Sequence, residues 1–172
     1  MGSWYNADGL NIEYGRTNTR KANRPQSVKS FGSEQEIQVH FDLAELAAGT
    51  AFPVDRDNDG TNDGFHTGSV SIPDQAIIES AVIYMTDTAA AGGTSVSAGT
   101  FQENGSAIDA DGLVTAANGA TANLSANAKQ AGSGALIGTG VTQRSFIALT
   151  VAGTYTAGKG VLVIKYTFPR SV

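Results

Sequence analysis

The chain has 172 residues, 41 % hydrophobic and 16 % charged, with 21 glycines and no cysteine. That length supports one domain with a real core and is short for two, and the lack of cysteine excludes a disulfide framework, a thiolate metal site and a cysteine nucleophile. A net charge of −5 and the lack of any apolar run near the ~20 residues of a membrane span argue against nucleic acid and membrane as partners.

At the N-terminus, "MGSWYNADGL" lacks the basic start and apolar stretch of a secretory signal, which points to a protein used inside a cell or assembled there into something that leaves. "LNIEY" (Leu10–Tyr14) alternates and predicts a short strand. From Gly15 to Gly32 the chain is polar and carries Pro25, with neither helical nor strand period, and reads as an extended arm or long loop. Arg16, Arg20, Lys21, Arg24 and Lys29 are five of the eleven basic residues, and no acid lies between Glu13 and Glu34. That segment alone is +5, so the rest of the chain carries −10. Residues 1–34 are therefore read as an arm with a first short strand, and residues 35–172 as the folded domain.

The domain opens with "QEIQVHFDL", where Ile37, Val39, Phe41 and Leu43 recur at period two and predict a half-buried strand. Phe52 to Gly68 reads as loop. "AIIESAVIYM" (Ala76–Met85) is apolar on both faces, as a central strand is, and "TSVSAGTF" (Thr94–Phe101) is a lighter strand after the Gly92-Gly93 turn. Ile108 to Lys129 is rich in Ala, Asn, Thr and Gly, which predicts one or two short helical turns around Gly112–Ala117, capped by Asp109 or Asp111. "ALIG" (Ala135–Gly138), "SFIALTV" (Ser145–Val151) and "GVLVIKYTF" (Gly160–Phe168) give three more strand signals. Seven or eight short strands with almost no helix predict an all-β fold, an antiparallel jelly-roll-like sandwich, with Greek-key crossings at residues 50–70 and 103–133.

Material for catalysis is scarce. His40 and Asp42 share one strand face, but residues two apart on a strand are neighbours by geometry alone. Ser in a G-x-S-x-G elbow is absent. "GSGALIGTG" (Gly132–Gly140) lacks the Gly-Lys-Ser/Thr ending of a phosphate loop and reads as a turn. The richest signal is "DRDNDGTNDG", Asp55 to Gly64. Asp55, Asp57 and Asp59 followed by Gly60 match the first half of a calcium loop, with the Thr61 carbonyl and the Asp63 carboxylate as further oxygens. The second half departs from the pattern: position twelve is His66 where a bidentate glutamate belongs. Asp, Asn and Gly are also what any exposed turn prefers. The sequence leans toward a polar turn, with bound Ca²⁺ as the alternative, and in either case the loop serves order and not catalysis.

"SWYNADGLNIEYG", "TAAAGGTSVSAGTF" with "IDADGLVTA", and "GSGALIGT" with "GKGVLVIKYTF" recur in similar order in small virion proteins of tailed bacteriophages. On these stretches the chain resembles capsid decoration, or cement, proteins. The resemblance implies a non-enzymatic jelly-roll domain, often a homotrimer, assembled in the bacterial host cytoplasm onto the outer capsid surface of the virion. There it would bridge major capsid protein subunits of the expanded shell. The basic segment and the aspartate loop have no counterpart in it. On this reading the arm is the capsid anchor: Trp4, Tyr5 and Leu10 supply apolar affinity, while Arg16, Arg20, Lys21, Arg24 and Lys29 set on-rate and register. The alternative is a phage fibre or receptor- or glycan-binding β-sandwich module.

Overall fold

The structure, a computed structural model, describes residues 3–5, 11–13, 26–31, 34–55, 57–60, 62–66, 69–90 and 92–168, with backbone only before residue 34. The described residues form twelve strands: β1 Ser3–Tyr5, β2 Asn11–Glu13, β3 Gln26–Phe31, β4 Glu34–Asp42, β5 Gly49–Thr50, β6 Ser71–Ile72, β7 Ile77–Met85, β8 Gly93–Phe101, β9 Ala107–Val114, β10 Lys129–Ala131, β11 Ser145–Gly153 and β12 Lys159–Thr167. β1 and β2 pair with each other. The rest make two antiparallel sheets, β10-β7-β12-β4-β3 and β5-β11-β8-β9, with β6 also on β11.

The connections explain why this is a jelly roll. The chain crosses from one sheet to the other after β4, β6, β7, β9, β10 and β11, and stays in the same sheet at β3–β4, β5–β6 and β8–β9. Taking β5 and β6 as one strand, the eight strands lie in the orders β4-β12-β7-β10 and β5-β11-β8-β9, two interleaved Greek keys. β3 adds an outer strand beside β4.

Side-chain alternation builds the core between the sheets. In the first sheet, register places Ile37, Ile164 and Ala81 in one row and Val39, Leu162 and Ile83 in the next, all buried. Val96 and Ala98 of β8, Leu113 and Val114 of β9, and Ile147, Leu149 and Val151 of β11 belong to the same buried cluster. Each fully buried Ile or Leu contributes about 1.5–3 kcal/mol. Period-two strands facing one another suffice to hold this fold without a disulfide.

Five sequence expectations change. Gln26–Phe31, read as arm or loop, is a strand, because the free edge of β4 offers a ladder that local composition does not announce. Ala107–Val114 is strand β9, and Asp109 and Asp111 lie within it and cap no helix. The strand signal is hidden there by a bulge: Ala98 and Thr100 of β8 pair with Val114 and Asp109, so five steps of β9 oppose two of β8, and period two is lost. The region from 103 to 133 is thus two strands, β9 and β10, and not one long crossing. "ALIG" is a turn and not a strand; Leu136 N donates to Gly112 O at 2.9 Å while Leu136 and Ile137 pack against the core. The helical turns expected near Gly112–Ala117 are instead two 3-10 turns, Leu43–Glu45 and Thr121–Asn123. Among the described residues no helix is long and apolar enough to cross a membrane.

Candidate functional site

The aspartate loop grows out of a second, smaller core on the outer face of the β11–β8 pair. Phe146 and Phe101 are cross-strand partners there, beside Ala148. Phe65 stacks on Phe146 with centroids 5.1 Å apart, and Phe52 meets Phe65 and Phe101 edge-on at 5.5 and 5.2 Å. Such aromatic pairs add about 0.5–1.5 kcal/mol each beyond burial. Phe52 and Phe65 flank the loop, so its two ends are clamped to the sheet.

The neck is closed by backbone. Val54 N donates to Gly64 O at 3.2 Å, and Asp63 N and Gly64 N donate to Val54 O at 2.6 and 3.0 Å. Phe65 N donates to Glu103 O at 2.9 Å, which ties the loop to the β8–β9 turn. At that turn Gly105 has φ +86°, and any Cβ there would collide with the Asp63 carbonyl. Only glycine lets the two turns approach so closely.

At the tip, Asn58 and Gly60 take positive φ, 60° and 93°, and fold the chain back on itself. Gly60 N donates to Asp55 Oδ2 at 2.9 Å, and Asp59 N donates to Asp57 Oδ1 at 3.3 Å. The result gathers one carboxylate oxygen each from Asp55, Asp57 and Asp59 within 4.8 Å of one another. Asp57 and Asp59 are exposed and Asp55 is half-buried. Asp55 Oδ1 has less than 1 Å² of exposed surface and no hydrogen-bond donor among the described residues. Asp63 stands at the neck rather than in that cluster, Thr61 lies outside the described residues, and His66 is exposed.

The other candidate pieces are dispersed. Trp4 and Tyr5 lie on β1, Trp4 opposite Ile12, and Lys29 lies on β3 opposite Glu36. Leu10, Arg16, Arg20, Lys21 and Arg24 lie outside the described residues. Asp42 accepts from Ala44 N at 3.1 Å, capping a 3-10 turn, and its other oxygen is 3.8 Å from Lys159 Nζ. Exposed His40 stands across from Val161. Glu34 accepts from Lys165 Nζ at 2.7 Å, and this bond with its ion-pair attraction raises the lysine pKa. Each of these carboxylates has a structural task.

One surface feature is only half signalled by the sequence. Away from the core, the first sheet presents Tyr84 beside Val161 and Val82 beside Val163. Tyr84 is 40 % exposed, with Lys129 Nζ 5.6 Å above its ring, and the three valines are half-buried. The two-faced apolar run Ala76–Met85 signals the strand, but the matching valines of β12 join it only through register. No family model, curated protein or solved structure matches this chain.

Proposed function

We propose that this protein is a non-enzymatic virion structural protein: a cement, or decoration, protein that binds the outer surface of a bacteriophage capsid. It stabilises the expanded shell by bridging major capsid protein subunits, as a homotrimer. The resemblance of its N-terminal, middle and C-terminal stretches to such proteins supports this reading, and the jelly roll agrees with it.

The observation that carries it is the outer face of the first sheet. An antiparallel sheet facing water is normally polar on that side, yet here Val82, Val161, Val163 and Tyr84 form an apolar patch, edged by His40, Gln38 and Lys129. A face of that kind is suited to burial against another subunit, and threefold closure covers it on every copy. Binding only the expanded lattice then stabilises the shell by mass action. Of residues 1–34, Gln26–Phe31 are the outer strand β3 of the same sheet; the segment before it is the anchor that reaches the major capsid protein.

The test is attachment. Full-length protein mixed with expanded and unexpanded heads of the phage that encodes it should bind the expanded form in many copies per particle. Protein lacking residues 1–25 should stay folded and lose attachment. Recovery on tail tips in a few copies, or binding to a glycan array, would instead support the fibre or receptor-binding alternative.

A further inference from the structure

We propose that Asn104, at the tip of the β8–β9 hairpin, is a site of spontaneous covalent modification: attack of the Gly105 backbone nitrogen expels its side-chain amide and leaves aspartate or isoaspartate. The proposal is independent of the capsid reading.

The chain has two Asn-Gly pairs, Asn104-Gly105 and Asn118-Gly119. Glycine after asparagine favours this reaction, because no side chain obstructs the approach of its nitrogen. The fold treats the two pairs differently. Asn118 Oδ1 accepts from Thr115 Oγ1 and from Ser133 Oγ, each at 2.7 Å, which fixes the carboxamide. Gly119 is buried, donates to Thr115 O at 3.1 Å and accepts from Val96 N at 2.8 Å. A cyclic imide there would have to break those bonds and part the chain from strand β8. Asn104 is exposed, and its Oδ1 accepts from Ser106 N at 3.0 Å, while Gly105 N donates to Gln102 O at 3.0 Å. Both bonds lie within one turn at the end of a hairpin, where local opening costs little. Gly105 cannot be exchanged for a residue that would slow the reaction. Its φ of +86° and its close contact with the Asp63 carbonyl both require glycine.

In the opened turn Gly105 N gives its proton to solvent and attacks Asn104 Cγ. The bond from Gly105 N to Cγ forms, the Cγ–Nδ2 bond breaks, and the leaving nitrogen takes a proton from water and departs as ammonia. Water then opens the cyclic imide. Attack at Cγ restores the ordinary backbone with an aspartate side chain, whereas attack at the α-carbonyl gives isoaspartate, with the main chain rerouted through Cβ and Cγ. The sum is amide plus water giving acid plus ammonia, without oxidation or reduction. Isoaspartate lengthens the backbone directly before Gly105, where the turn fits against Asp63 and where Glu103 O holds Phe65 N at 2.9 Å. The aged chain therefore grips its aspartate loop less tightly.

The experiment is incubation of the full-length protein in mildly alkaline buffer, with peptide mapping by mass spectrometry and enzymatic methylation of isoaspartate over time. Acid and isoaspartate forms should accumulate at Asn104 faster than at Asn118 by about tenfold or more, the difference in local opening. In guanidinium chloride that unfolds the chain, the two sites should react at similar rates. Asn104→Ser, whose hydroxyl can still accept from Ser106 N, should remove the signal. The isoaspartyl fraction, separated by anion exchange, should unfold at a lower urea concentration than fresh protein. The proposal is overturned if Asn104 stays intact in the native protein or reacts no faster than Asn118. A preference for Asn104 that persists in guanidinium chloride would overturn its origin in the fold, and an isoaspartyl fraction as stable as fresh protein would overturn its link to the loop.

Discussion

The two sheets of this sandwich treat their outer faces differently. On the β11–β8 face, Phe101, Phe146 and Ala148 are covered by the chain's own loop through Phe52 and Phe65. On the β7–β12 face, the rows of Tyr84, Val161, Val82 and Val163 are left half-buried or exposed. Both faces carry more apolar surface than a solvated sheet needs. One face has an intramolecular answer, and for the other we propose a partner. The comparison teaches that a two-faced apolar strand marks a surface to be covered, without saying by what.

The largest effect should come from uncovering the first of these faces. Phe146→Ala removes the stacking partner of Phe65 and should destabilise the isolated chain by about 3–5 kcal/mol, as large aromatic truncations do, read by urea unfolding. Val163→Ala, on the other face, should cost under about 1 kcal/mol in dilute protein, since its side chain is only half-buried there. Equal losses would mean that the two faces are not covered differently. If Phe146→Ala cost little, the aromatic cluster would not be a true second core.

A smaller effect distinguishes the inner from the outer face of the first sheet. Tyr166 points inward, and its burial raises the phenol pKa above its ordinary value of 10.0. The unfolded phenol therefore ionises first. Its stabilising contribution is complete below about pH 10. It is then lost as pH climbs from there through the folded-state value. Tyr166→Phe should remove that part of the alkaline decline in unfolding free energy. An identical decline in both proteins would show that Tyr166 keeps its ordinary pKa.

Legibility in the sequence followed the same division. Strands β4, β7, β8, β11 and β12 were readable because each faces a core and keeps period two or a β-branched run, as Ile37–Val39–Phe41 and Ile147–Leu149–Val151 do. β3, β9 and β10 were not, because pairing partners far along the chain fix them: Lys129 lies opposite Tyr84, and Val114 opposite Ala98. The aspartates were visible as a motif. The gathering of Asp55, Asp57 and Asp59 depends on how the neck folds and leaves no mark in composition. The Phe52–Phe65 clamp escaped for a related reason. Two phenylalanines flanking a polar loop do not reveal the sheet beneath them.

We propose that the Val82–Val163 face is an interface between subunits. Light scattering on the full-length protein over a wide concentration range, beside Val163→Asp, tests it most directly. A trimer is expected for the parent and a folded monomer, with an unchanged far-UV spectrum, for the variant. A parent that stays monomeric throughout, or a variant that remains trimeric, would contradict it.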